Sequence, residues 1–223
     1  MNYFELLDKH CQYDYLGRPR LSRAFTMEYV WGQMEKLPCP VIFELGTTRS
    51  FVHGGLEGCA IPDEKYWQPD NPEAWDWGAG SFTRVFGELP NKILHTVDLV
   101  TNHIKVAIKI TENLRDIHYH VDDALHFLET IDQTADLIYM DVGDMTPLED
   151  TANLHKEEAQ IIISKELLNI GGYILIDDVR HPFPLSVGEK SSFGKAKYSI
   201  GLFLANGFDI VMDEYQLLLQ RLR

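Results

Sequence analysis

Short apolar runs alternate with amphipathic stretches along most of this chain. The runs after position 40 are "VIFEL", "ILHTVDLV", "IHYHV", "ADLIYMDV" and "GGYILIDDV", and stretches such as "NHIKVAIKITEN" and "DALHFLETI" lie between them. This alternation is typical of parallel strands joined by right-handed helical crossovers. The last 16 residues, "FDIVMDEYQLLLQRLR", predict two further strands in an antiparallel pair at one edge. We therefore predict an α/β fold with a doubly wound, mostly parallel seven-stranded sheet.

Domain organisation follows from length and local composition. A chain of 223 residues fits one α/β domain with a sizeable core, so we expect 1–223 to fold as a single unit. Residues 1–40 predict a helical N-terminal segment, which ends at two prolines. Residues 51–91 are rich in Trp, Gly and Pro and show little periodicity, which indicates an insertion or a lid over a site.

Composition excludes several classes of partner. The net charge of −14 would repel a phosphate backbone, and no Lys/Arg stripe is visible, so we expect no nucleic-acid partner. No apolar span of 18 residues occurs, which argues against a membrane protein. The three cysteines are scattered and show neither a disulfide framework nor zinc-ligand spacing. Together with the charged N-terminus, these features predict a cytoplasmic location.

Acidic residues mark the end of every predicted parallel strand. They are Glu44, Asp98, Asp122, Asp123, Asp141, Asp177 and Asp178. Helix capping explains any single one of them, because Asp is a favoured N-cap residue. Five strand ends in series favour a binding site, since ligands of doubly wound sheets bind at the carboxyl ends of the strands.

From Val41 onward these features resemble the class I S-adenosylmethionine-dependent methyltransferases. In that family the first strand ends in an acidic residue and a glycine turn that approach the methionine part of the cofactor, which Glu44, Gly46 and Thr47 match. The acid that closes the second strand binds both ribose hydroxyls, and Asp98 matches it. The loop departs from the family in having "TTRS" where further glycines are usual.

The resemblance extends to the adenine side of the cofactor. A Gly-Asp-Ala signature before an apolar helix is matched by "DDALHFL", so Asp123 would accept from the adenine amino group beside Ala124. Asp141, at the end of the fourth strand, would lie at the same cofactor. By position alone, "WDWGAGSFT" returns Ser81 and Thr83 to this region.

Within the family, the chain is most similar to the metal-dependent O-methyltransferases of the catechol type and those that act on natural-product sugars. There a magnesium-type ion is bound by the acid after strand four and an acidic pair after strand five. The matching residues here are Asp141, Asp177 and Asp178. Such an ion would hold two substrate oxygens and lower the pKa of one hydroxyl.

Two residues are the leading candidates for the general base. The relatives often place it three residues after the strand-four acid, where this chain has Asp144. A carboxylate is a weak base, so we also name His181, three residues after the acidic pair, as a catalytic candidate, with His155 and His53 as further alternatives.

The resemblance thus implies an O-methyltransferase that uses S-adenosylmethionine and Mg²⁺ or a similar ion. Its acceptor would be a hydroxyl of a small molecule, with a sugar or sugar-containing metabolite as the leading class. Two alternatives stay open: an NAD(P)-dependent oxidoreductase on a similar sheet, and a non-catalytic S-adenosylmethionine-binding or partner module. A homo-oligomer also stays open.

Overall fold

The computed structural model describes residues 3–11, 22–47, 80–143, 147–180 and 193–223. The helices are α1 Tyr3–Cys11, α2 Ala24–Met34, α3 Ser81–Gly87, α4 Thr101–Ile110, α5 Ala124–Thr130, α6 Leu148–Ser164 and α7 Ser199–Ala205, with a short 3₁₀ helix at Gly194–Ala196. The strands are β1 Val41–Leu45, β2 Ile93–Asp98, β3 Ile117–Val121, β4 Ala135–Met140, β5 Leu168–Ile176, β6 Phe208–Asp213 and β7 Leu217–Arg221.

The seven strands form one sheet in the order β3-β2-β1-β4-β5-β7-β6. Strands β1 to β5 are parallel to one another, and β7 runs antiparallel to both β5 and β6. The predicted fold class is confirmed, including the antiparallel C-terminal pair. In this pair β7 lies inside the sheet, and β6 is the last strand. Because β1 to β5 are parallel, their carboxyl ends lie along the same side of the sheet.

Both faces of the central strands are buried, and the strand sequences show why. Successive side chains of a strand point to opposite faces. In β1, Phe43 belongs to one core cluster and Ile42 to the other, and in β4 Ile138 and Leu137 divide in the same way. Because each face needs apolar residues, the central strands are continuous apolar runs.

The connections are close to those predicted. Helices α4, α5 and α6 lie in the predicted crossovers, and α1 and α2 lie in the N-terminal segment. The sequence did not predict the 3₁₀ helix or α7. Of the Trp-rich segment 51–91, residues 51–79 lie outside the described residues, while its C-terminal part contains α3. Among the helices described, none has the length and apolar character needed to cross a bilayer.

Candidate active site

A cavity of about 340 Å³ lies at the carboxyl ends of the parallel strands. Five residues predicted to bind a cofactor line it together: Gly46, Asp98, Asp123, Ala124 and Asp141. Apolar side chains of the loops after β2 and β4 complete the wall, with Leu99 at 70% exposure the most open of them. The cavity therefore combines carboxylates with apolar surface, as small-molecule sites usually do.

Gly46 brings the loop after β1 close to the end of β4. Its φ of +84° lies in the left-handed region, and a Cβ on this residue would stand 2.7 Å from the carbonyl oxygen of Asp141. Its amide donates to the carbonyl of Val97 at 2.9 Å. A side chain at this position would clash with backbone, which explains why glycine follows the strand here.

A chain of hydrogen bonds links this loop to a buried acid. The amide of Thr47 donates to Oδ2 of Asp98 at 3.2 Å, and the Thr47 hydroxyl lies 2.9 Å from that of Thr83. The Thr83 hydroxyl donates to Oε2 of Glu44 at 2.6 Å. Glu44 lies within β1 rather than after it and is fully buried, and burial raises its pKa to about 8.

The residues of this hydrogen-bonded chain lie behind the cavity wall. Glu44, Thr47, Thr83 and the 8% exposed Ser81 are not among the residues that line it. The segment 48–79 that follows Thr47 lies outside the described residues, so their direct contact with a cofactor stays a prediction.

Asp98 is oriented by three donors. Besides the Thr47 amide, the amide of Val100 donates to Oδ1 at 2.8 Å, and Nδ1 of His103 lies 3.1 Å from the same oxygen. His103, on α4, also lines the cavity. Sequence reasoning missed this residue, although its place one helical turn after the strand-two acid was a usable signal.

Asp123 has a structural role at its predicted position. Its Oδ1 caps α5 by accepting from the amides of Leu125 at 2.9 Å and His126 at 3.3 Å. The neighbouring Asp122 pairs with Nδ1 of His126, and this hydrogen bond lowers the pKa of Asp122. Capping fixes the Asp123 backbone at the cavity wall, and contact with adenine stays a prediction.

The three acids predicted to bind a metal do meet. Ligand oxygens of Asp141, Asp177 and Asp178 all lie within 4.8 Å of one another. Both oxygens of Asp177, however, accept from Arg23, with Nη2 to Oδ2 at 2.7 Å and Nε 3.0 Å from each. The amide of Gln216 also donates to Asp177 Oδ1, at 3.1 Å.

A lysine lies between the other two acids. Nζ of Lys195 is 2.7 Å from Oδ1 of Asp141 and 3.1 Å from Oδ2 of Asp178, and its side chain is fully buried. Asp178 also accepts a hydrogen bond from the hydroxyl of Tyr215. By donor type the cluster suits a hard divalent ion. In this arrangement it does not fit one, because two protein cations already bind its oxygens.

The structure tests only one of the candidate bases. Asp144, His181 and His53 lie outside the described residues. His155 is fully buried, its Nε2 lies 3.2 Å from the carbonyl oxygen of Val142, and burial lowers its pKa to about 3. This histidine is held neutral inside the protein and does not line the cavity, so it is not placed to take a proton from an acceptor.

No family model and no curated protein sequence matches the chain, whereas solved structures match its fold. A candidate O-methyltransferase from Klebsiella pneumoniae aligns over 100% of this chain and 91% of its own, with a TM-score of 0.58 and 14% identity. The N-methyltransferase NodS from Bradyrhizobium japonicum, in complex with S-adenosyl-L-homocysteine, aligns over 99% and 97%, with a TM-score of 0.50 and 16% identity. The chain has the class I methyltransferase fold.

The methyltransferase fold does not fix the acceptor. A candidate rRNA methylase from Clostridium thermocellum aligns over 86% of this chain and 94% of its own, with a TM-score of 0.51 and 12% identity. Similar structures thus carry names for O-, N- and rRNA methylation, and one fold hosts many acceptors.

Proposed function

We propose that this protein transfers a methyl group from S-adenosylmethionine to a hydroxyl of a small molecule. The observation that carries the proposal is the cavity at the strand ends, where Gly46, Asp98, Asp123 and Asp141 meet on a methyltransferase fold. These residues lie at the carboxyl ends of four different strands, and the sheet brings them to one edge.

Each wall of the cavity suits a different part of this cofactor. The Asp98 carboxylate, held by its three donors, is suited to accept from the two ribose hydroxyls. Leu99 and Val100 offer apolar surface to a flat base, and Gly46 allows backbone to approach the ligand closely. The cofactor supplies an electrophilic methyl group on a positively charged sulfur, and the one negative charge that Asp141, Asp177 and Asp178 keep beside Arg23 and Lys195 favours that cation in the cavity.

Charge supports a small acceptor over a nucleic acid. The rRNA methylase name of one similar structure raises RNA as an acceptor, but the net charge of −14 would repel its phosphates. A hydroxyl must lose its proton as the methyl group arrives. Asp144 and His181 are our proposed bases for that step, and a sugar or sugar-containing metabolite remains our proposed acceptor class.

Calorimetry with purified protein tests cofactor choice. We expect S-adenosylmethionine and S-adenosyl-L-homocysteine to bind with one-to-one stoichiometry, and NAD and NADP to give no heat. Binding of a dinucleotide alone would overturn the proposal in favour of the oxidoreductase.

Turnover is tested separately, by release of S-adenosyl-L-homocysteine in the presence of catechols, free sugars, glycosides and an rRNA fragment. A hydroxylated small molecule should give product that carries the new methyl on oxygen. Methylation of the RNA alone would overturn the acceptor class. Cofactor binding without turnover on any acceptor would favour the non-catalytic module.

A further inference from the structure

The backbone around Lys195 is pressed against the acidic cluster. Its neighbour Gly194 has a φ of +45°, and a Cβ there would overlap the carbonyl oxygen of Asp178. A non-glycine residue would therefore be strained and would push the 3₁₀ helix away from the end of β5. The close approach delivers the Lys195 side chain, fully buried, into the cluster rather than to solvent.

The lysine ammonium makes the contacts that a bound cation would make. It bridges one oxygen of Asp141 at 2.7 Å and one of Asp178 at 3.1 Å, distances typical of charge-assisted hydrogen bonds. These are two of the three acids whose geometry suits an ion. A divalent ion bound by the same oxygens would require the ammonium to leave.

The third acid is committed elsewhere. Arg23 binds both oxygens of Asp177, and the two side chains are 3% and 0% exposed. With Arg23 and Lys195 charged, the three carboxylates keep one net negative charge. A buried charge without a partner is costly. If either cation left, its partner carboxylates would be buried without a compensating charge.

We propose that this cluster works without a metal ion and that Lys195 is its built-in cation. In this arrangement Lys195 is a positioning residue, because it holds the Asp141 carboxylate at the wall of the cavity while its own side chain stays buried. Metal-dependent relatives would fill the corresponding position with an ion, whereas this chain fills it with a side chain. The inference concerns the cation site alone and does not require that methyl transfer occur.

Binding of Mn²⁺, measured by electron paramagnetic resonance without cofactor or acceptor, tests the proposal. Wild type should bind no Mn²⁺ at this cluster over the range of concentrations titrated. Lys195→Gln removes the ammonium and should bind Mn²⁺ with a dissociation constant at least about tenfold below the top of that range, because the carboxylates lose their compensating charge. Lys195→Arg should behave as wild type. Lys197→Gln, which removes an exposed lysine two residues away, should also leave Mn²⁺ binding unchanged.

Two results would overturn the proposal. One is stoichiometric Mn²⁺ binding by wild type that Asp178→Asn abolishes, since the ion would then displace the lysine. The other is a folded Lys195→Gln protein that gains no Mn²⁺ binding, since the ammonium would then not occupy a cation position. If Lys195→Gln does not fold, the wild-type titration decides alone. Because cofactor is absent throughout, failure here is distinguishable from failure of the proposed methyl transfer.

Discussion

The hydroxyl of Thr83 donates a 2.6 Å hydrogen bond to Glu44, and both side chains are fully buried. Burial outweighs the opposing effect of this hydrogen bond and raises the pKa of Glu44 to about 8. The acid is therefore neutral in the folded protein near pH 7, beneath a loop that carries part of the cavity wall.

Glu44→Gln should change the pH dependence of stability. A raised pKa in the folded state means that Glu44 favours folding most below its unfolded pKa, and that this contribution falls as pH rises from about 4.5 to about 8. The glutamine variant cannot titrate, so the unfolding free energy of the variant relative to that of wild type should rise by about 3 to 4 kcal/mol between pH 5 and pH 8. Urea unfolding at both pH values measures this difference. The matched control is the same substitution at the exposed Glu28.

Protonation of His95 should destabilise the protein in acid. Burial, and then repulsion from His118 and His120, lowers the pKa of His95 to about 4. Its contribution to stability is complete above about pH 6.5 and is lost as pH falls toward 4, amounting to about 2 kcal/mol at pH 5. His95→Phe keeps a ring against Phe127 and should remove this loss in thermal or urea unfolding.

The exposed His126 provides a control of opposite sign. Its hydrogen bond with Asp122 raises its pKa, so it contributes stability below pH 6.5 that disappears as pH rises. His126→Gln should therefore lose stability at low pH relative to wild type. If both histidine variants changed in stability relative to wild type in the same direction at low pH, the opposite pKa shifts of His95 and His126 would be contradicted.

Asp98→Asn should weaken cofactor binding without unfolding the protein. The amide keeps the shape of the carboxylate but loses the charge and one acceptor, so we expect a cost of roughly 2 kcal/mol in S-adenosylmethionine affinity by calorimetry. Asp209→Asn, on the exposed face of β6, is the matched control. Equal affinities of the two variants would contradict the ribose assignment.

Gly46→Ala should damage both stability and binding. The left-handed backbone and the contact with the Asp141 carbonyl predict a loss of about 2 kcal/mol or more in unfolding free energy. Gly32→Ala in α2 meets no atom within 4 Å and should be neutral or stabilising by up to about 1 kcal/mol. Denaturant unfolding of the two variants, followed by cofactor titration, separates a local backbone requirement from a general intolerance of alanine.

Removal of Arg23 should be costly because it leaves Asp177 buried without its cation. We expect Arg23→Met to lower the unfolding free energy by about 3 to 5 kcal/mol. Arg180 and Asp213 form a comparable pair at the surface, at 32% and 36% exposure, and Arg180→Met should cost no more than about 1 kcal/mol. A double-mutant cycle with Asp177→Asn should show that the second change recovers part of the first. Equal costs at the two sites would contradict a buried ion pair.

Local sequence pattern was enough to predict the strands of the sheet. Features that depend on tertiary contacts could not be predicted from it. Strands such as Ala135–Met140 are short apolar runs next to turn residues, and these two features were enough to predict them. Asp98 and Asp141 could be placed at one edge because parallel strands end together. The order of β7 and β6 could not be predicted, since it depends on which edge of β5 stays open after the crossovers.

The two cations that bind the acidic cluster could not be predicted from local sequence pattern. Arg23 meets Asp177 across 154 positions, and Lys195 meets Asp141 across 54. Neither lies in a run of charge or at ligand spacing. Glu44 shows a further limit, because the pattern predicts it after the first strand, whereas the structure places it inside β1 and beneath the loop.

The hydrogen bond between Thr26 and Gln216 spans 190 positions and lies next to the Arg23 to Asp177 pair. During synthesis, the floor of the acidic cluster therefore cannot close until Gln216 has emerged from the ribosome. Contacts of such long range are slow to form, because loop entropy is lost before they stabilise the chain. A nascent chain that already holds β1 to β5 has Arg23 but not Lys195 or Gln216, so its acidic cluster would be complete only after the segment that follows β5 is synthesised.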